Sequence, residues 1–198
     1  LGRVFLWNVE SLRFGDGGQP IPVRTLSDSN ESDSTGGYRT IAWSKDGKRL
    51  ALGRGNGKIE IWNKETNESL HLNDGPGGRV MRLSWSPDNQ SLVSCGDGNR
   101  QGDEQAIVVW DTNDGSIRHY LEGHANTVAW VDWSPDGKRI ASGGTDTSVK
   151  VWDATTGREM ITLLGHERFV TCVQWSPDGK RLASSDADGV TIVWDARK

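Results

Sequence analysis

Four times this chain writes almost the same phrase. Trp43-Ser-Lys-Asp-Gly-Lys, Trp85-Ser-Pro-Asp-Asn, Trp133-Ser-Pro-Asp-Gly-Lys and Trp175-Ser-Pro-Asp-Gly-Lys stand 42, 48 and 42 residues apart. A second tryptophan follows each, at Trp62, Trp110, Trp152 and Trp194, and the last three continue as Trp-Asp. A fixed period near 42 predicts an array of stacked sheets, each too small to bury its faces alone. The same regularity conceals function, because repeated residues report how the array is built. Nine of the ten tryptophans occupy the two repeat positions, counting Trp7; Trp130 alone falls outside the frame.

The third repeat serves as a template. Residues 127–133 alternate as an inner strand. Ser134-Pro-Asp-Gly-Lys138 is a tight turn, with Pro presetting φ and Gly accepting the left-handed position. Residues 139–142 read as a second strand and 148–152 as a third, with Val149 and Val151 as β-branched formers. Residues 159–164 read as a fourth. Four short strands separated by turn signals make an antiparallel blade. No segment carries a helical period.

Unequal intervals locate the insertions. First to second tryptophan is 19 residues in repeats one, three and four but 25 in repeat two. The surplus lies around residues 97–103, between second and third strands. Second to next first tryptophan is 23 residues three times, but 36 between Trp7 and Trp43. That surplus falls in Gly/Ser/Asp-rich text at 15–37, interrupted by a strand-like run at 20–26. The polar, acidic stretch 27–34 reads as mobile.

The expected organisation is therefore a partial blade at 1–37, holding third and fourth strands, and blades near 38–72, 79–121, 124–164 and 166–195. The last repeat has three strands. Two arrangements account for this count. The chain is part of a longer ring, or residues 20–26 complete the last blade and close a ring of four. The first is favoured, because residues 2–7 themselves match the repeat. Leu1 also falls inside strand-like text, as in a chain cut from a longer protein.

Formal charge is −4, from 23 basic and 27 acidic residues mixed along the chain. That lacks the basic footprint of non-specific nucleic-acid binding. No apolar run reaches membrane-spanning length, and no signal-peptide pattern is present. Cys95 and Cys172 lie at different repeat positions and make no disulfide framework. Read as buried free thiols, they suit a reducing, cytoplasmic compartment.

The repeats resemble the WD-repeat (WD40-type) β-propeller family. A Gly-His stands nine residues before Trp-Ser-Pro-Asp-Gly, Ala-Ser-Gly follows, and an Asp lies six residues before Trp-Asp. The match covers nearly the whole chain after Tyr38, plus residues 2–8. It implies an all-β propeller of four-stranded antiparallel blades, about four of them covered, within a larger ring. It also implies a hydrogen-bonded tetrad in each blade. In repeat three that is His124, Ser142, Asp146 and Trp152; in repeat four, His166, Ser184, Asp188 and Trp194. A buried imidazole and indole each need a partner, which Ser and Asp supply. Repeats one and two depart from the pattern. Asp33-Ser34 and Gly75-Pro76 stand for Gly-His, Leu52 and Asn56 replace Ser and Asp in repeat one, and Glu104 replaces Asp in repeat two. Those two blades are expected to be less rigid.

Little catalytic chemistry is legible. His71 and His119 have no partner at metal-ligand spacing. The Asp–His–Ser set recurs once per repeat, which marks architecture; a triad needs an exposed nucleophile and an oxyanion hole. Asp97-Gly-Asn-Arg-Gln-Gly-Asp103 begins like a calcium loop, but Val108 takes the place of the bidentate carboxylate. Gly53-Arg-Gly-Asn-Gly57 joins two strands and lacks the helix that holds phosphate. The sequons at Asn30, Asn67 and Asn89 matter only in a secreted protein. No catalytic residue, metal or cofactor is assigned.

WD-repeat proteins usually bind partners on the face carrying the loops into each first strand and the turns between second and third strands. Carried over by position, the contact residues are Arg39, Arg79, Met81, Asp103, Thr127, Thr145, Arg168 and Phe169. Arginine and aromatic side chains at an exposed rim are favoured anchors. Trp130 is either inter-blade filler or a further anchor, and filler is favoured. The function expected is a non-catalytic interaction scaffold for protein or peptide partners, with neither nucleic acid nor membrane involved. An alternative is the C-terminal sensor part of a larger signalling enzyme, a Ser/Thr kinase or caspase-like peptidase. A propeller hydrolase ranks last, because the inner strands offer mostly Ala and Ser with Asp132 and Gln174.

Overall fold

The computed structural model describes residues 3–8, 13–14, 20–22, 24–27, 37–72, 75, 78–98 and 107–197. The chain opens with β1 (Arg3–Leu6), β2 (Arg13–Phe14), β3 (Pro20–Ile21) and β4 (Arg24–Ser27). β1 pairs antiparallel with β4, while β2 and β3 form a separate hairpin. The strand expected over 20–26 is thus two strands with different partners. Pro22 has no N–H to give a ladder, so continuous pairing cannot pass through it. The closure of a four-bladed ring by residues 20–26 does not hold either. Arg24–Ser27 pairs with β1, Pro20–Ile21 with β2, and the last sheet keeps three strands among the described residues.

Four blades follow. The first is β5 (Tyr38–Trp43), β6 (Arg49–Arg54), β7 (Ile59–Asn63) and β8 (Ser69–Leu72). The second is β9 (Val80–Trp85), β10 (Ser91–Gly96), β11 (Ile107–Asp111) and β12 (Ile117–Tyr120). The third is β13 (Val128–Trp133), β14 (Arg139–Gly144), β15 (Val149–Asp153) and β16 (Glu159–Leu163). The fourth is β17 (Val170–Trp175), β18 (Arg181–Asp186) and β19 (Thr191–Asp195). Each is an antiparallel meander in sequence order.

One turn recurs between first and second strands. Ser44, Ser86, Ser134 and Ser176 donate their hydroxyls to the carboxylates of Asp46, Asp88, Asp136 and Asp178, two residues on. The same carboxylates accept the amides of Lys48, Gln90, Lys138 and Lys180. The turn needs one left-handed residue. Gly47, Gly137 and Gly179 supply it with φ of 67°, 71° and 67°. Asn89 takes the same place in repeat two at φ 61°, a conformation asparagine tolerates better than most.

The hydrophobic cores lie between sheets. Ile59, Ile61 and Leu72 of the first blade pack with Val80, Leu83 and Trp85 of the second. Val109 and Ile107 pack with Val131 and Trp133, and Val149 and Val151 pack with Val173 and Trp175. Leu26, with Val4 and Leu6 beside it, covers Leu50 and Trp62. A buried indole removes ~150–250 Å² from water, so the repeated tryptophans dominate each junction. The second strands run closer to the next blade than their text suggests. A Cβ on Gly143 would lie 2.5 Å from Val170 Cγ1, and one on Gly53 would lie 2.6 Å from Val80 Cγ1. Like the other three second strands, β14 runs six residues, to Gly144, two residues beyond the expected end.

Trp130 is filler. It packs on the Val170, Val173 and Trp175 cluster of the fourth blade. The Arg82 guanidinium from the second blade lies 3.9 Å from the centre of its ring.

Candidate interaction face and the polar clusters behind it

Every first strand carries an irregularity at the same place. The pairing register slips between Tyr38 and Thr40, between Val128 and Trp130, and between Val170 and Cys172, with the matching slip at Cys95 and Gly96 in the second blade. One residue per strand, at Arg39, Met81, Ala129 and Thr171, therefore lies outside the ladder. Such bulges re-aim side chains. Arg39 and Met81 emerge exposed.

The loop into the first strand and the turn after the second strand meet at this end of each blade. The Arg79 amide and guanidinium both bond Asp97, the latter at 2.7 Å. The Thr145 amide bonds the Thr127 carbonyl at 2.8 Å. Arg168 pairs with Asp188 at 3.1 Å, both side chains largely exposed. Phe169 stands beside that pair at 48% exposure. An exposed ion pair such as Arg168–Asp188 contributes ~0–1 kcal/mol to stability, so those two side chains can exchange partners at little cost. Adjacent first strands pack side by side, which sets the corresponding ends of four blades in a row. Asp103, Glu104, Asp33, Ser34, Pro76 and most of the acidic stretch 27–34 lie outside the described residues.

Behind the face, the third blade assembles a relay. Trp152 Nε1 donates to Ser142 Oγ at 2.8 Å, Ser142 Oγ lies 2.7 Å from His124 Nε2, and His124 Nδ1 lies 2.9 Å from Asp146 Oδ2. One proton arrangement satisfies every member: indole to hydroxyl, hydroxyl to Nε2, and Nδ1–H to carboxylate. Asp146 also accepts the Ala125 amide and the Ser148 hydroxyl, so it ties the incoming loop to the turn.

The fourth blade corrects one residue. Trp194 Nε1 donates to Ser184 Oγ at 2.8 Å, and His166 Nε2 lies 2.7 Å from the same oxygen. The carboxylate 2.9 Å from His166 Nδ1 is that of Asp186, not Asp188. The reason is positional. Asp186 occupies the place of Gly144, and a Cβ on Gly144 would point to within 2.7 Å of His124 Nδ1. An aspartate there reaches the imidazole from the strand itself and leaves Asp188 for Arg168. The legible signal was an Asp two residues after the tetrad serine, where repeat three has Gly. Burial opposes ionisation of Asp186, but His166 and the Val190 and Asp188 amides hold its carboxyl below the usual range.

The first two blades replace the relay. In the second, Ser94 still accepts Trp110 Nε1, at 2.9 Å. In the first, Trp62 Nε1 donates to Asn67 at 3.2 Å. Beside it Glu60 accepts the Tyr38 hydroxyl, the Arg54 guanidinium and the Ser69 hydroxyl. Burial and Glu60 push the Tyr38 phenol up to about 12.

The inner-strand acid Asp132 also has a structural position. Its carboxylate accepts the Trp175 amide at 2.9 Å and the Ser84 hydroxyl at 3.4 Å, linking three first strands. Among the described residues, no three His, Cys, Asp or Glu side chains gather as a metal-holding group.

The relay makes stability depend on pH. Burial is the largest influence on His124 and pushes its imidazole pKa below the ordinary value, although Asp146 favours the charged form. The unfolded chain then takes up the proton first as pH falls. The stabilisation is complete above the unfolded pKa, about 6.5, and is lost as pH drops toward the folded value. Denaturant midpoints measured from pH 7 to pH 5 should fall, and His124→Gln should flatten that slope. An equal slope in both proteins would remove His124 as its source.

The fold and its repeated relay define a WD-repeat β-propeller. The chain belongs to the WD-repeat family: the model for the WD domain, G-beta repeat, matches residues 67–111, 115–153 and 157–195. That for the anaphase-promoting complex subunit 4 WD40 domain matches residues 22–86. WD repeat-containing protein slp1 of Schizosaccharomyces pombe is 31% identical over 100 residues, 50% of this chain and 17% of that protein. Human apoptotic protease-activating factor 1 is 38% identical over 84 residues, 38% of this chain and 6% of that protein. A chain in the crystal structure of the mitotic checkpoint complex superposes with a TM-score of 0.76 at 27% identity. That superposition covers 98% of this chain and 57% of the other. The matched stretches are a small part of the two sequence relatives, 17% and 6% of their length, and the superposition covers just over half of the other chain.

Proposed function

We propose that the chain is a non-catalytic interaction scaffold that binds a protein or peptide on the face bearing Arg39, Arg79, Met81, Thr127, Thr145, Arg168 and Phe169. The observation that carries this reading is the row of bulged first strands, which presents exposed arginine and apolar side chains from a rigid support. Rigid loops lose little entropy on association. The similarity to a chain of a checkpoint complex, a protein assembly by its name, supports the same reading. A reducing, cytoplasmic setting is part of the proposal. It is supported by two free thiols, with Cys95 buried and its pKa pushed up by burial.

A second reading, the regulatory part of a larger signalling protein, draws support from the match to apoptotic protease-activating factor 1, of which the chain spans 6%.

Affinity capture with the wild-type chain and with a Met81→Ser/Phe169→Ser variant tests the face. Loss of two exposed anchors should weaken capture by roughly thirtyfold or more, the effect of a hot-spot truncation, with Tm unchanged. Undiminished capture by the variant would place the binding surface elsewhere.

A further inference from the structure

The opposite end of the blades, which carries the Ser-x-Asp turns, holds a different repeated device. At the first junction Arg49, which opens a second strand, crosses to the next blade. Its guanidinium lies 4.8 Å from the centre of the Trp85 ring and donates to the carbonyls of Thr112 and Asn89. At the third junction Arg139 does the same. It lies 4.4 Å from the Trp175 ring and donates to the Ala196 carbonyl at 2.9 Å and the Gly179 carbonyl at 3.1 Å. Each slot has an indole floor, one carbonyl from the Ser-x-Asp turn and one from the turn after Trp-Asp.

The middle junction has the slot without the arginine. Ser91 stands at the position of Arg49 and Arg139. Trp133, Gly137 and Ala154 stand at the positions of floor and carbonyls, and with Ser91 they line a cavity of about 340 Å³. That volume is at the small end of ligand pockets, about 300–1,000 Å³, and suits one long side chain. Its wall is anionic at Asp88 and Asp136, whose carboxyls are held below the usual range by the Ser86 and Ser134 hydroxyls; burial opposes this and is the largest influence on Asp88. The cation in the wall, Arg118, is bonded to Asp111. His119 completes that side. An indole face, paired carbonyls and nearby carboxylates select a planar cation with several N–H donors and an apolar stem.

We propose that this slot binds an arginine side chain presented by a protein partner, in the manner the chain itself sets with Arg49 and Arg139. Ser91 lines the slot where Arg49 and Arg139 leave their strands, and it is too short to fill it, so the arginine that does so comes from outside and its backbone stays with the partner. The site is on the other end of the blades from the scaffold face and stands or falls independently of it.

The test is an NMR titration of the ¹⁵N-labelled chain, following the Trp133 indole N–H. Nα-acetyl-arginine amide should produce a saturable shift. The citrulline analogue, near-isosteric but uncharged, should bind about tenfold more weakly or less, having lost the cation–π attraction. Ser91→Arg supplies the missing side chain and should abolish the shift while raising Tm. Arg49→Ser should open a matching slot and create a new response at Trp85. A Gly-Arg-Gly peptide should bind at least as well as free arginine. Absence of a saturable shift, an undiminished shift in Ser91→Arg, or equal binding of the lysine analogue would overturn the arginine assignment. Tighter binding of free arginine than of the peptide would overturn the protein-partner assignment.

Discussion

Replacing Ser142 with alanine is expected to lower the unfolding free energy by about 2–6 kcal/mol, from two buried groups that each cost about 1–3 kcal/mol when left unpaired. The hydroxyl serves Trp152 Nε1 and His124 Nε2 together, and Ser142, His124 and Trp152 are all buried. Alanine removes an acceptor and a donor at once, and no water-filled space opens to replace them. Ser94→Ala in the second blade provides the comparison. Ser94 holds the Trp110 indole but no histidine, so its loss should be about half as large. Urea midpoints at constant m-value measure both. Equal losses for the two serines would show that the imidazole bond contributes nothing.

Arg139→Ser is expected to cost about 2–4 kcal/mol, combining a cation–π contact with two charge-assisted bonds to carbonyls. In a chain of this size that lowers Tm by about 4–16 °C. The guanidinium joins two blades, contacting Trp175, Gly179 and Ala196 from a strand of the preceding sheet. Arg139→Lys should recover little, because an ammonium lacks the planar fork that meets two carbonyls. Full rescue by lysine would reduce the interaction to simple charge. The middle junction shows that the array tolerates such a loss once, since Ser91 stands in that place with a cavity beside it.

Most of the blade was legible because its determinants are local. Ser-Pro-Asp-Gly specifies a turn through the Pro φ, the Asp acceptor and the Gly left-handed angle, all within five residues. The interval between tryptophans located the insertions for the same reason. The third-blade relay followed from the family resemblance, and its members meet at bonding distance. Asp188 misled because spacing to the tryptophan is a one-dimensional measure. Two aspartates stand two residues apart in this stretch, and it is Asp186 that bonds His166, because strand register puts it where the third blade has Gly144 facing the imidazole. The run 20–26 misled differently: its composition is strand-like throughout, but Pro22 divides it between two partners.

The sequence by itself determined the all-β repeat, the order of strands, the turns and the positions of the tryptophans, because each depends on neighbours along the chain. Only the tertiary structure decided that Trp130 is filler beneath Arg82, that Asp186 serves His166, and that Asp132 links three first strands. It alone disclosed the slot at Ser91. Those outcomes depend on side chains from different blades meeting in space, and a missing arginine becomes a cavity only when the next sheet is packed against it.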